Sequence, residues 1–360
     1  MVKQRKTAST AQNAPAHPLK GAAARAEARR QQERKQIAEQ NRAPFETGQA
    51  DAPFGHSGRL YRHQMRDYMI ACIPIALTQT LLWGKQPLLN MALCVAVAVA
   101  AEYLLTLALR RPNRLGNLHS AVIGLFFALI MPLQTPLWML AAGSAAAVVF
   151  GKMLLTSEER PILNPALVGW LLIALLWPVY LQATQSPPGE NYVDPIRLLR
   201  EGGTAAISGI DLSVYFQGKQ LGGLGAVNVR DIMLGGLFIL YRRNINWRIM
   251  FMFFLGGIVT AWAFNMYDPA LYAGPGFHVY AGAFFFGALF LAGDYCAAPV
   301  RFFPALAYGF AAGSLVILLR IYAPFPDAVP PAILMINALT YALNRIRQIS
   351  RRTNPGAASI

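Results

Sequence analysis

The sequence predicts an all-α, polytopic membrane protein of about ten transmembrane helices in two inverted five-helix repeats. Three observations predict it. Long apolar stretches alternate with short polar turns along the 360 residues, the dense Lys/Arg clusters fall at every second turn, and one His-Gly-Phe-Pro pattern recurs in both halves.

Composition agrees with a bilayer solvent. Apolar residues make up 55% of the chain and charged residues only 14%, against roughly 25% charge in a soluble domain. The net charge of +15 is unevenly placed: residues 1–66 hold 13 Lys/Arg against five Asp/Glu. Much of the remaining excess lies beside predicted helix ends. Charge placed this way orients helices and touches anionic lipid, so the expected partner is the lipid bilayer and no nucleic acid. The three cysteines, Cys72, Cys94 and Cys296, lie in or at the end of apolar spans without CxxC or Cys/His ligand spacing. They read as small packing residues, and no metal is expected.

Residues 1–60 form a basic cytoplasmic tail, largely disordered, with no apolar run of the signal-peptide kind. Within it, residues 20–42 are rich in helix formers but have no apolar stripe to bury. The transmembrane domain is expected over 61–346. Its candidate spans are 68–83, 88–109, 118–132, 136–155, 162–181, 231–241, 248–266, 278–293, 302–322 and 328–344. The third, sixth and eighth are short for a 30 Å hydrocarbon core, so each needs flanking residues or protein neighbours that bury irregular backbone.

The turns set the orientation. Arg110, Arg111 and Arg114, then Lys152 and Arg160, then Arg242, Arg243 and Arg248, then Arg301 occupy the even turns, and the odd turns are much poorer. Both termini are therefore expected in the cytoplasm of a bacterial inner (plasma) membrane, with residues 347–360 as a second cytoplasmic tail. One long external loop, 182–230, opens on Pro187-Pro188-Gly189 and closes on the glycine-rich stretch Gly218 to Gly225. A loop of this length in a compact membrane protein is more often functional than filler.

The internal echo is the segment from His119, HSAVIGLFFALIMPL, against the segment from His278, HVYAGAFFFGALFLAGDYCAAP. They fall in the third and eighth spans. Because five is odd, two five-helix halves run in opposite senses, the plan of many transporters.

No Walker A, GxSxG, HExxH or dinucleotide fingerprint is present, so any chemistry comes from polar groups at membrane depth or from the long loop. Glu102 inside the second span and Asp294 at the end of the eighth are the candidate ion-coupling carboxylates, because an acid in hydrocarbon is costly to keep. A structural hydrogen bond for Glu102 and an interfacial cap for Asp294 are the plainer alternatives. Asn164-Pro165-Ala166 opens the fifth span as either a broken helix or an ordinary first-turn proline. Asn337, in the tenth span, is taken as its match in the repeat. In the long loop, Thr204, Ser208-Gly209-Ile210-Asp211 and Gly222-Gly223-Leu224-Gly225 offer hydroxyls and glycines that would let backbone NH groups approach a phosphate.

Taken in order, these residues resemble the RnfD/NqrB family, the flavin-carrying membrane subunits of the ion-pumping Rnf and Nqr redox complexes. The matching points run from His119-Ser120 through Gly124 to Pro132, then Pro136-Leu137-Trp138, Gly151-Lys152 and Asn164-Pro165-Ala166. They continue with Gly222-Gly223-Leu224-Gly225, Leu234-Gly235-Gly236, Trp247-Arg248, Phe277-His278 to Gly282, Ala292-Gly293-Asp294 ahead of Pro299, and Ile333 to Ala338. The resemblance covers roughly residues 55–346. It implies an electron-transfer subunit whose partners are other membrane subunits, with FMN or riboflavin as cofactor and Lys152, Asn164, Asn337 and the loop residues Thr204, Ser208, Gly209, Gly223 and Gly225 near it.

Three departures from that family cluster around the flavin. Members attach FMN by a phosphoester to the Thr of a Ser-Gly-Ala-Thr motif, and here Asp211 stands in its place. Aspartate forms no such ester and repels phosphate, which leaves Thr204 or Ser208 as substitutes. Ala226 follows the glycine-rich turn where the family places Glu, and TSEER, residues 156–160, replaces a glycine-rich link. A flavin-free transporter or channel for a small solute on the same scaffold is the alternative reading, since a fold does not fix a function.

Overall fold

The computed structural model describes residues 58–110, 118–157, 160–182, 185–293, 298–299 and 301–353. The expectations for the tail before residue 58, for Asp294 and for Cys296 lie outside the described residues. So does the chain after 353.

The described chain is helical apart from one two-residue strand pair, Thr156–Ser157 against Arg160–Pro161. Helices α1 (Gly58–Ala71) and α2 (Ile73–Trp83) nearly join at Cys72, and α3 (Gln86–Ala108) follows with a proline in its first turn, where a missing NH costs nothing. Next come α4 (His119–Ile130), then α5 (Leu137–Ala146) running on as a π-helical turn (Ala147–Leu154), then α6 (Pro165–Leu176). Between the halves lie α7 (Pro195–Ile207) and α8 (Leu212–Phe216). The second half holds α9 (Val229–Tyr241), α10 (Trp247–Tyr267), α11 (Pro275–Tyr280), the short α12 (Phe284–Phe286) with a π-helical turn (Gly287–Leu291), α13 (Phe302–Tyr322) and α14 (Val329–Thr353).

Among the described residues, four segments are long and apolar enough to cross a membrane: Gln86–Ala108, Leu137–Leu154, Trp247–Tyr267 and Phe302–Tyr322. Leucines such as Leu77, Leu81, Leu104 and Leu107 are exposed on the outside of the bundle, as lipid-facing residues are. Where two helices meet, glycines let the backbones touch: a Cβ at Gly309 would strike the Ile249 carbonyl, and a Cβ at Gly256 the Phe310 carbonyl, so α10 and α13 pack at backbone distance. Both ends of the domain differ from expectation. Helix begins at Gly58, ahead of the span expected from 68, and α14 runs through 346 to Thr353.

The third and eighth spans are the irregular ones, and their backbone is accounted for. Helix α4 is only about 18 Å long, and all twelve of its residues are buried in protein. Its last carbonyls are taken by the glycine-rich turn: Leu224 NH donates to Met131 O at 2.8 Å, and Gly225 and Ala226 NH donate to Leu129 O at 3.0 and 3.1 Å. The eighth span breaks at Ala281–Ala283, with Gly282 at φ +64°, a conformation that favours glycine. There Arg320 donates to the His278 and Ala281 carbonyls at 2.5 and 2.7 Å. Gln220 Oε1 accepts from Gly282 NH and Asp327 Oδ2 from Ala283 NH, at 2.9 and 2.7 Å. Irregular backbone is tolerated in a membrane domain only when its polar groups are met this way. The segment between the halves thus caps one end of the bundle, and Arg110, Arg242, Arg243, Arg248 and Arg301 mark the other.

Candidate functional site

At the arginine-rich end, Glu102 lies six residues before the end of α3 and is 3% exposed. The π-helical turn after α5 brings Lys152 to it. Lys152 Nζ lies 2.5 Å from Glu102 Oε1 and donates to Ser120 Oγ at 3.1 Å. A wider helical turn re-aims the side chains that follow it, which is why such turns recur at functional sites. Gly151 presses on Pro165, where a Cβ would strike the Pro165 backbone, so Lys152 stands beside the start of α6. His119 and Asn164 are both buried and line one small cleft with Tyr68, Phe126 and Pro165. Glu102, Lys152 and Asn164, proposed from sequence separately, therefore belong to one end of one half. Ser120 and His119 complete it.

Asn164 is an N-cap. Its Oδ1 accepts from Ala166 NH at 3.1 Å, with Pro165 in the first turn of α6. Asn337 lies eight residues inside α14 and accepts from the Tyr308 hydroxyl at 2.5 Å. The residue that caps the start of α14, as Asn164 caps α6, is Asp327, which accepts from Val329 NH at 3.1 Å. The signal was legible: an Asp three residues ahead of Pro330 marks a helix start. Arg320 and Lys152 make similar contacts. Each is a basic residue two positions before the end of its segment, and each reaches the His-bearing start of an irregular span.

At the capped end the glycine-rich turn is seated on the end of α4. The NH groups of Leu224, Gly225 and Ala226 are spent on the carbonyls of α4 and its end, which leaves none of the three for a phosphate. Gly223 and Gly225 are small because a Cβ would strike the Ile130 carbonyl or the Leu129 and Ile75 side chains. Thr204 Oγ1 donates to Ala270 O at 2.5 Å, Ser208 Oγ donates to Ala205 O at 2.9 Å, and Gly209 stands in open space. Asp211 is exposed and caps α8, its carboxylate accepting from Ser213 NH at 3.0 Å and from Ser213 Oγ at 2.7 Å. Those two bonds hold its pKa below the usual carboxylate value, so the position is anionic and does not fit a phosphoester-linked FMN.

Two acids that sequence reading passed over face each other here. Asp194, which caps α7 through the Ile196 and Arg197 NH groups, lines one cleft with Asp327. Burial first, then the Asp327 charge, pushes the Asp194 carboxyl up to about 6 against the pull of its backbone hydrogen bonds.

The sequence profile of the NQR2, RnfD, RnfE family matches residues 49–351. The chain is 27% identical over 285 residues to the D subunit of the Na(+)-translocating ferredoxin:NAD(+) oxidoreductase complex of Acetobacterium woodii, covering 78% of this chain and 87% of that protein. It is 28% identical over 327 residues to the D subunit of the ion-translocating oxidoreductase complex of Aeromonas salmonicida, covering 80% and 93%. It is also 27% identical over 292 residues to the D subunit of the proton-translocating ferredoxin:NAD(+) oxidoreductase complex of Clostridium ljungdahlii, covering 78% and 88%. With its profile match spanning most of the chain and its irregular third and eighth spans buried as a membrane domain requires, the protein belongs to the NQR2, RnfD, RnfE family.

Proposed function

We propose that this chain is a membrane subunit of an electron-transferring, ion-translocating complex, and that the Lys152–Glu102 pair is its coupling group. The single observation that carries the reading is a carboxylate buried at membrane depth and held by an ammonium 2.5 Å away, in a chain of this family. A buried pair of this kind is a weak source of stability but a suitable two-state element. A cation or proton arriving at Glu102 displaces Lys152 toward Ser120, and its departure restores the pair.

In this reading the chain crosses the bacterial inner membrane ten times in two inverted halves. The arginine-rich end faces the cytoplasm, as the positive-inside rule requires. The Asn164 and Asp327 caps and the Lys152 and Arg320 contacts support the inverted arrangement. Other membrane subunits of the complex are its partners. Its flavin, FMN or riboflavin, is held without a phosphoester, since Asp211 cannot form one.

The test is the visible absorption spectrum of the protein purified in mild detergent with its native partners, repeated after acid precipitation. Flavin absorption that leaves with the acid supernatant is expected. Flavin retained in the pellet would place a covalent link on another residue. A well-folded preparation without flavin would favour the second reading, a flavin-free transporter or channel for a small solute, which Asp211 specifically supports.

A further inference from the structure

Helices α10 and α13 run in the same direction and start at the same end of the bundle. A Cβ at Gly309 would strike the Ile249 carbonyl, and one turn further along both helices a Cβ at Gly313 would strike the Phe253 carbonyl. Neither helix carries an acid in its first turn. Arg248 opens α10 and lays its guanidinium over the ring of Phe302, 4.8 Å from the centroid, and 5.7 Å from that of its neighbour Trp247. Its Nε is buried without a partner, and among the described residues no carboxylate pairs with it. Arg301, directly before Phe302, is exposed and likewise has no ion pair among the described residues.

Trp247, Phe302 and Phe303 are exposed around these two cations. Further along, each helix presents an exposed apolar stripe at helical spacing, Phe251, Leu255 and Trp262 on α10 and Phe303 and Phe310 on α13. A guanidinium stacked on a ring keeps its edge NH groups for an outside acceptor. Two cations without an internal anion fit an external one, and the aromatic and apolar surface beside them offers contact area only to an anion that carries hydrocarbon. We propose that the starts of α10 and α13 bind one anionic phospholipid, its phosphate at Arg248 and Arg301 and its acyl chains along the two stripes. Arginine meets phosphate with two parallel charge-assisted hydrogen bonds, and basic pockets between transmembrane helices are where such headgroups settle. The site is independent of the Lys152–Glu102 pair and of any flavin.

The full chain is reconstituted in phosphatidylcholine vesicles carrying a rising fraction of dibrominated phosphatidylglycerol or, in a parallel series, dibrominated phosphatidylcholine, and quenching of tryptophan is followed. Trp247→Phe identifies the share of the quenching that arises at the site. The parent is expected to prefer the anionic lipid at Trp247. That preference should fall roughly fivefold in Arg248→Gln and in Arg301→Gln, the effect of one basic residue beside an anionic headgroup. Arg110 is an exposed arginine just past the end of α3, in the other half, and Arg110→Gln should leave the preference unchanged. Should Arg248→Gln misfold, Arg301→Gln, at an exposed position, carries the test alone. A preference unchanged in both variants, or lowered equally by Arg110→Gln, overturns the site. So does a preference abolished by millimolar glycerol phosphate, because a soluble phosphate would then be the occupant.

Discussion

Lys152 and Glu102 stand on different helices and meet at 2.5 Å, with side chains 14% and 4% exposed. Removing one member leaves the other charged in a low-dielectric site, whereas replacing both with apolar groups removes the desolvation cost as well. Glu102→Leu alone is expected to lower stability by about 3 kcal/mol. The Glu102→Leu/Lys152→Met double variant should recover much of that loss while abolishing ion coupling. Unfolding in SDS, followed by tryptophan fluorescence, measures the first, and ion uptake by proteoliposomes measures the second. A single variant as stable as the parent would mean that the pair is hydrated and carries little coupling energy.

Arg320 holds the broken eighth span by both arms of its guanidinium, on the His278 and Ala281 carbonyls, with Asp327 3.9 Å away. Arg320→Met orphans both carbonyls and leaves Asp327 without its cation. The expected loss is about 3 kcal/mol. Arg320→Lys should recover only part of it, because one ammonium does not reproduce the planar fork. Thermal midpoints of the three proteins in one detergent decide it, and a lysine variant equal to the parent would show that charge alone suffices.

The glycines of the long segment are not equivalent. A Cβ at Gly223 would run into the Ile130 and Leu129 carbonyls, whereas one at Gly209 meets nothing within 4 Å. Gly223→Ala is therefore expected to destabilise by about 1–3 kcal/mol through overpacking, and Gly209→Ala to leave the melting temperature where it was. If the two substitutions behave alike, the glycine-rich turn is not seated on the end of α4.

Sequence carried the scaffold further than the site. The spans at Gln86–Ala108, Trp247–Tyr267 and Phe302–Tyr322 are long and predominantly apolar, and the ends expected for them fall within two residues of those observed, because length and hydropathy dictate them. The shortness of the third and eighth spans was also legible. What satisfies their broken backbones was not, since Gly225 reaches Leu129 and Gln220 reaches Gly282 across long stretches of chain that no local pattern encodes. Asn164 and Asn337 stand differently in their helices. Asn164 caps the start of α6, whereas Asn337 lies inside α14 and the NH at the start of that helix is met by Asp327.

Asp194 gives the capped end a pH dependence of definite sign. Its folded carboxyl is pushed up to about 6 by burial and by Asp327, while the unfolded chain titrates near 3.9. Between those values the folded state binds more proton than the unfolded state, so this group's contribution is most favourable below pH 4. It is lost as pH rises toward 6, and it changes no further above. Asparagine keeps the N-cap acceptor for Ile196 and Arg197 but cannot ionise. Asp194→Asn should therefore match the parent below pH 4 and exceed it above pH 6 by roughly 1–2 kcal/mol, the shift discounted for partial exposure. Thermal midpoints taken from pH 4 to 8 follow the difference, and an advantage for the asparagine variant that shrinks as pH rises would refute the burial of Asp194 beside Asp327.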